Sequence, residues 1–298
     1  MLQASAVAQG SMVAIVTPMF EDGRLDIPSL NALIEFHIAQ GSDGIVIVGT
    51  TGESPTVDFD EHCLLIKTAV EQVRGRVSVI AGTGANSTKE AIALTQKAKD
   101  LGVDACLLVA PYYNKPTQEG LYQHFMAIAD AVAIPQILYN VPGRTGCDIS
   151  NDTVLRLAQH SNIIGIKEAS CIIEQCMEIA FHKPEDFLLI SGDDVQAVPI
   201  ISIGGVGVMS VIANAFPSQF TQMIHAALHG DYKTAQKALS AFLTIDPYLY
   251  EEGNPVGVKK ILALKGLIQA QVRMPLAEAS EGLGQKLNEI INQVKLSN

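Results

Sequence analysis

Short runs from which polar residues drop out recur along this chain: Val13–Thr17, Gly44–Gly49, Val77–Gly82, Ala105–Ala110, Gln136–Asn140, Ile163–Lys167, Leu188–Ser191 and Val206–Val211. A strand with one wet face alternates, whereas a strand of a parallel sheet is covered on both faces and reads as a continuous apolar run. Between these runs, apolar positions recur at three- and four-residue spacing and predict helices over Ser29–Gln40, Asp60–Arg74, Lys89–Leu101, Gln118–Ala131 and Asn151–His160. Eight strands alternating with helices predict an α/β fold, a (β/α)8 TIM barrel over residues 1–230. After Gly230 the strand signals stop. Tyr232–Leu243, Pro255–Ala270 and Gly284–Lys295 predict a C-terminal helical extension, a helical domain over residues 231–298.

Composition narrows the class of partner. The 298 residues are 48% hydrophobic and 17% charged, with a net charge of -11, which argues against nucleic acid and anionic membrane as partners. An anionic substrate gains no long-range steering from such a surface and must be held by local groups. The uncharged stretch Val195–Ile224 is too interrupted by Pro199, Gly204, Gly205, Asn214 and Pro217 for a membrane span, and reads as helix, strand and helix. Met1–Gly10 has no lysine or arginine, so no targeting segment is expected there. The five cysteines are odd in number and lack CxxC spacing, which fits reduced thiols in the cytoplasm.

Barrel chemistry sits at the C-terminal ends of the strands. Those ends carry Thr17-Pro18, Gly49-Thr50-Thr51-Gly52-Glu53-Ser54, Pro111-Tyr112-Tyr113-Asn114, Tyr139 through Gly146, Lys167-Glu168, Ser191-Gly192-Asp193-Asp194 and Met209-Ser210. Lys167 closes a buried strand, where desolvation favours the free amine and so a nucleophile able to form a Schiff base. The same residues also fit a lysine that has just left the sheet and pairs with Glu168; its place among the other reactive strand ends favours the functional reading. Gly49-Thr50-Thr51-Gly52 offers unobstructed backbone amides and two hydroxyls for a carboxylate, or a turn with threonine caps. Tyr139 lies on the strand beside that of Lys167, placed for proton transfer or for a buried, satisfied hydroxyl. Arg144 can fork onto a second carboxylate or stay at the surface. Asp193 and Asp194 read first as helix caps. The seven histidines all fall in helical patterns, and the spacing of His225 and His229 lacks the glutamate of a metalloprotease helix. What remains is imine chemistry, with no metal and no cofactor expected.

These motifs resemble the pyruvate-dependent class I aldolase family, and among its members those that open lysine and diaminopimelate synthesis. The likeness covers nearly the whole chain, through Ala14–Pro18, Val48–Ser54, Ala81–Gly84, Pro111–Asn114, Leu138–Gly146, Gly165–Ala169 and Ser191–Asp194. Gly-Thr-Thr-Gly-Glu and Lys-Glu belong to the family at large; Tyr-Asn-Val-Pro-x-Arg-Thr is specific to the biosynthetic branch. The resemblance implies a lyase that condenses pyruvate with L-aspartate 4-semialdehyde to 4-hydroxy-tetrahydrodipicolinate. By it, Lys167 would form the imine, Tyr139 would pass protons, and Thr50 would link Tyr139 to Tyr113 from a neighbouring subunit. Thr51 would hold the pyruvate carboxylate and Arg144 that of the semialdehyde, with Gly192 and Met209 lining the pocket. A shared tyrosine implies a homo-oligomer, a dimer of dimers in many members. A lysine feedback site would map to Ser54, Pro55, Phe59, His62, Asn86, Glu90 and Tyr112, with Phe59 standing where feedback-inhibited members often carry histidine.

Two other readings use the same residues. A sugar-acid lyase of the fold would share the lysine, the tyrosine and the carboxylate loop, but a polyhydroxylated substrate asks for hydrogen-bonding groups in place of the Arg144 guanidinium. A barrel that has lost catalysis and senses a keto acid would have shed reactive groups, and here every such position is filled.

Overall fold

The computed structural model describes residue 7 and residues 9–296, so the reading of Met1–Gly10 as lacking a targeting segment falls largely outside the described residues. Strands β1 (Gly10–Ala14), β2 (Gly44–Ile47), β3 (Ser78–Gly82), β4 (Ala105–Val109), β5 (Gln136–Asn140), β6 (Ile163–Glu168), β7 (Leu188–Ser191) and β8 (Gly207–Ser210) pair in sequence order. Strand β1 pairs in parallel with both β2 and β8, which closes the barrel. Helices α1 (Ile27–Ala39), α2 (Phe59–Val73), α3 (Thr88–Asp100), α4 (Gln118–Ala131), α5 (Pro142–Thr145), α6 (Asn151–Leu157), α7 (Ile173–His182), α8 (Ala197–Ser202) and α9 (Pro217–Leu228) run between the strands and past the last of them. Three more follow: α10 (Tyr232–Tyr250), α11 (Val256–Leu264) and α12 (Glu281–Leu296). Among the described residues no helix is long and apolar enough to cross a membrane.

The helices start where a short polar side chain can take up an orphan amide. Asp26 accepts from the Ser29 amide, Ser87 from Glu90, Thr117 from Gly120 and Ser150 from Thr153. At α2, Asp58 and Glu61 each accept from the other's backbone, a reciprocal box that fixes the helix start beside the loop after β2. Each such cap contributes about 1 kcal/mol.

The expected elements shift where packing overrides local signals. Strand β1 begins three residues earlier than Val13, because Gly10 through Val13 align with Gly207 through Ser210 of β8. Helix α10 runs past Leu243 to Tyr250 although Pro247 lies inside it. Burial of Phe242, Ile245 and Leu249 against the barrel outweighs the hydrogen bond the proline forgoes. Helix α11 stops at Leu264, well before Ala270, in a left-handed Gly266 whose neighbour's amide returns to Leu262 O. His160 lies in the turn after α6 rather than in a helix.

Three apolar layers make the core. Met12, Val46, Ile80, Leu107, Ile137 and Met209 are among those filling the barrel interior. Outside it, one cluster joins β1–β3 and their helices to α10–α12, so the extension shares its core with the barrel, and a second lies under α4, α6 and α7. Three histidines, His37, His62 and His124, are buried in these helical layers, and two of them leave a ring nitrogen without a partner. His37 Nδ1 lies 3.2 Å from Ser42 Oγ and His124 Nδ1 lies 2.9 Å from Thr88 Oγ1, while the Nε2 of each is buried without a partner. Burial pushes His37 down to about 3 and His124 down to about 4. Both are therefore neutral in the folded chain, and the unfolded chain binds more protons as pH falls below about 6.5. Their stabilising effect is complete above that pH and is lost toward pH 4 and below, at about 1.4 kcal/mol per pH unit for each proton. The melting temperature of a His37→Gln/His124→Gln variant should accordingly fall less steeply between pH 6.5 and 4.5 than that of the parent; parallel slopes would rule these two residues out as the source.

Candidate active site

Lys167 and Tyr139 face each other across the β5–β6 ladder as register partners. The amine lies 4.2 Å from the centre of the Tyr139 ring, and both side chains are only 6% exposed. How Lys167 comes to point inward is a matter of register. Gln136 pairs with Ile163, yet the next residue, Ile137, pairs with Gly165, so Ile164 is an extra residue in β6. Ile163 packs outward under the helices, Ile164 packs into the interior, and beyond the bulge Ile166 faces out again. Lys167 thus points in and Glu168 out. Strict alternation from Ile163 would have reversed them. Gly165 permits the close approach of β7, since a Cβ there would meet Leu188 O at 2.7 Å.

Glu168 is consequently not the partner of Lys167. Its carboxylate is buried and accepts from Asn140 Nδ2 at 3.2 and 3.0 Å and from the Ser170 amide at 2.6 Å. Burial pushes its carboxyl above the usual range, against those hydrogen bonds. The space beside the amine is kept by Gly192 on the loop after β7. A Cβ there would stand 2.7 Å from Ala169 Cβ and 3.1 Å from Lys167 Cε. Met209 is buried in the interior cluster that also holds Tyr139.

The loop after β2 brings Thr50 and Thr51 to the same end of the barrel. Its backbone is unusual, with left-handed Val48 (φ 51°) and Glu53 (φ 61°). A left-handed valine is strained and persists only where its surroundings enforce it. The enforcing groups come partly from the far end of the chain. Lys259 of α11 is fully buried and its amine lies 2.5 Å from Glu53 Oε1 and 2.7 Å from Gln271 O. The second Glu53 oxygen accepts from the Arg273 amide at 2.9 Å. The Arg273 guanidinium forks onto both Glu61 oxygens at 2.5 Å and also donates to Gly23 O and Thr56 O. Burial lowers the Lys259 pKa and Glu53 opposes that shift, while Arg273 holds the Glu61 carboxyl below its usual range. Asn254, between α10 and α11, donates to Thr51 Oγ1 at 3.0 Å. Sequence reasoning assigned none of Asn254, Lys259 and Arg273 a part. The available signal was Lys259, a lysine in the apolar phase of α11 beside Val258 and Leu262.

The other expected residues have surroundings of their own. Arg144 is exposed on α5, and Tyr113 is 89% exposed with a left-handed backbone (φ 73°), its amide bonded to Thr145 O. Asp193 caps the turn before α8 through the Val195 and Gln196 amides. Asp194 instead accepts from Val211 and Ile212, beyond β8. His225 lies 2.8 Å from Asp43 Oδ2, and His229 is tied to His225 O. A separate cavity of about 90 Å³ is lined by Ser54, Pro55, Phe59, His62, Glu90 and Tyr112, among others. Asn86 supports it from behind, donating to Tyr112 O at 3.2 Å.

An eight-stranded barrel with a buried amine against a phenol at its C-terminal mouth is the architecture of an imine-forming lyase. The chain belongs to the Dihydrodipicolinate synthetase family, whose sequence pattern matches residues 7–294. It is 56% identical over 285 residues to the 4-hydroxy-tetrahydrodipicolinate synthase of Nitrosospira multiformis, covering 96% of this chain and 95% of that one. Among solved structures it is similar to the dihydrodipicolinate synthase of Acinetobacter baumannii complexed with pyruvate, with a TM-score of 0.95, 46% identity and coverage of 97% and 99% of the two chains. It is also similar to the enzyme of Cyanidioschyzon merolae with lysine bound, with a TM-score of 0.94, 36% identity and coverage of 97% and 98%.

The buried pair makes a stability prediction. Lys259→Met should destabilise the fold by about 3–5 kcal/mol, because it leaves Glu53 charged and buried, and adding Glu53→Gln should recover a large part. Urea denaturation of parent, single and double variants checks this; a double variant no more stable than the single would show that lost packing, not the stranded charge, sets the cost.

Proposed function

We propose that this chain condenses pyruvate with L-aspartate 4-semialdehyde to give 4-hydroxy-tetrahydrodipicolinate, through an imine on Lys167. The observation that carries this reading is the buried Lys167 amine, with no carboxylate of its own strand turned toward it, set against the Tyr139 ring beside the space that Gly192 leaves. The amine adds to the C2 carbonyl of pyruvate and water leaves; loss of a C3 proton gives the enamine, which forms the new carbon–carbon bond to the aldehyde carbon. The amino group of the semialdehyde then displaces Lys167 from C2 and closes the ring, which restores the free enzyme.

Tyr139 is the group placed to carry protons to and from the forming carbinolamine. Thr51 and the amides of the Gly49–Gly52 turn take the pyruvate carboxylate, and Arg144 takes that of the semialdehyde. Thr50 extends the proton path from Tyr139 to Tyr113. An almost fully exposed tyrosine on a left-handed backbone supports the view that Tyr113 serves a neighbouring subunit's site, in a homo-oligomer that is a dimer of dimers. Five cysteines without a disulfide support a cytoplasmic location.

The cavity at Ser54, His62, Glu90 and Tyr112 supports feedback by lysine. Burial lowers the His62 pKa, and with Nε2 at 2.7 Å from Gly82 O the neutral ring donates there and keeps Nδ1 as an acceptor. Glu90 supplies the negative charge an ammonium needs. Phe59 supplies an apolar wall where a histidine would add a hydrogen bond, so binding is altered in strength.

Borohydride reduction with pyruvate, followed by peptide mapping, should give a single adduct on Lys167 that Lys167→Ala abolishes. Tyr139→Phe should lower kcat by about 10²–10⁴-fold. No adduct, or one scattered over surface lysines, would overturn the imine reading. Separately, millimolar lysine should inhibit turnover, and Glu90→Gln should relieve it; an unchanged rate across the titration would remove the feedback assignment.

A further inference from the structure

Among the contacts of the C-terminal extension with the loop after β2, one meets a hydroxyl at the catalytic end of the barrel. Asn254 and Thr51 are both buried, they are far apart in sequence, and the Asn254 Nδ2 donates to Thr51 Oγ1 at 3.0 Å. A threonine hydroxyl has one hydrogen to give and two lone pairs to accept with. Because Asn254 fills a lone pair, the Thr51 hydrogen must point away from Asn254. Among the described residues no acceptor takes that hydrogen. The Asn254 Oδ1, which in the opposite amide orientation would capture it, is itself buried without a partner.

The backbone bearing this hydroxyl is held as firmly. Two residues on, Glu53 is clamped by Lys259 and by the Arg273 amide, which holds the loop that carries Thr51 in place. An isolated threonine samples three hydroxyl directions, and a bound anion must select one. Here the direction toward Asn254 is closed to the hydrogen before the ligand arrives, which narrows the choice a free hydroxyl would have to make on binding.

We propose that Asn254 is a positioning residue for the reaction: it directs the Thr51 hydroxyl hydrogen toward the carboxylate of pyruvate and so sets pyruvate affinity without touching substrate. This rests on the assignment of Thr51 as the carboxylate anchor.

The test is a double-variant cycle on the full-length enzyme, with steady-state kinetics at saturating semialdehyde. Asn254→Ala should raise KM for pyruvate about tenfold, the size of one hydrogen bond to a charged group, with kcat little changed. In a Thr51→Val background the same substitution should add nothing, because the hydroxyl it orients is gone. Asn254→Asp, which keeps the shape of the side chain, should raise KM more than Asn254→Ala, since a carboxylate captures the Thr51 hydrogen; it also serves if the alanine variant does not fold. If Thr51→Val raises KM but neither Asn254 variant does, or if the Asn254→Ala effect persists undiminished without the hydroxyl, the positioning role is overturned while the anchor stands. If Thr51→Val leaves KM unchanged, the anchor assignment falls and this role with it.

Discussion

A buried charge pair sets the geometry on which the rest of the site depends. Glu53 and Lys259 are both shut away from water, and a charge so placed is tolerable only when its partner and its remaining hydrogen bonds are fixed. Lys259 finds them in Glu53 and Gln271 O, and Glu53 in Lys259 and the Arg273 amide. The pair therefore dictates where α11 docks, how the segment around Arg273 crosses the top of α2, and which backbone the loop after β2 can adopt. The left-handed Val48 and Glu53 are the local cost of that arrangement, and the placement of Thr50 and Thr51 is its consequence.

The barrel does the complementary work by sorting side chains through register. On β5 and β6 the inward residues Tyr139 and Lys167 meet at the mouth, while the outward residues Asn140 and Glu168 meet between strand and helix. Two adjacent residues, lysine and glutamate, thereby enter unlike environments. One is an amine against an aromatic face, and the other a hydrogen-bonded carboxylate whose pKa burial raises. The extension, sharing its core with β1–β3, adds to the mouth a directed amide at Asn254 and a buried cation at Lys259.

Much of this was legible in the chain. Eight unbroken apolar runs can only be strands covered on both sides, and helices between them leave a closed parallel barrel as the economical solution. Reading the ends of those runs collects Thr50, Thr51, Tyr139, Arg144, Lys167, Gly192 and Met209 without coordinates. Local signals misled where packing was strong: the helix expected over Tyr232–Leu243 runs on to Tyr250 under the burial of Ile245 and Leu249, and Pro255–Ala270 looked longer than its left-handed glycine allows.

The sequence by itself determined the architecture and the inventory of reactive groups, because the strand period, the helix period and the strand-end rule are all local. Tertiary structure alone decided which way those groups face and what holds them. In Ile163-Ile164-Gly165-Ile166-Lys167 only the glycine hints at an irregular strand and nothing fixes the register, yet the extra residue at Ile164 is what turns the lysine inward and the glutamate out. Asn254 and Lys259 are some two hundred positions from Thr51 and Glu53, and no periodicity links them. Such pairings arise only when the chain closes, since buried polar groups must find partners wherever folding brings them, and the sequence separation between partners carries no signal.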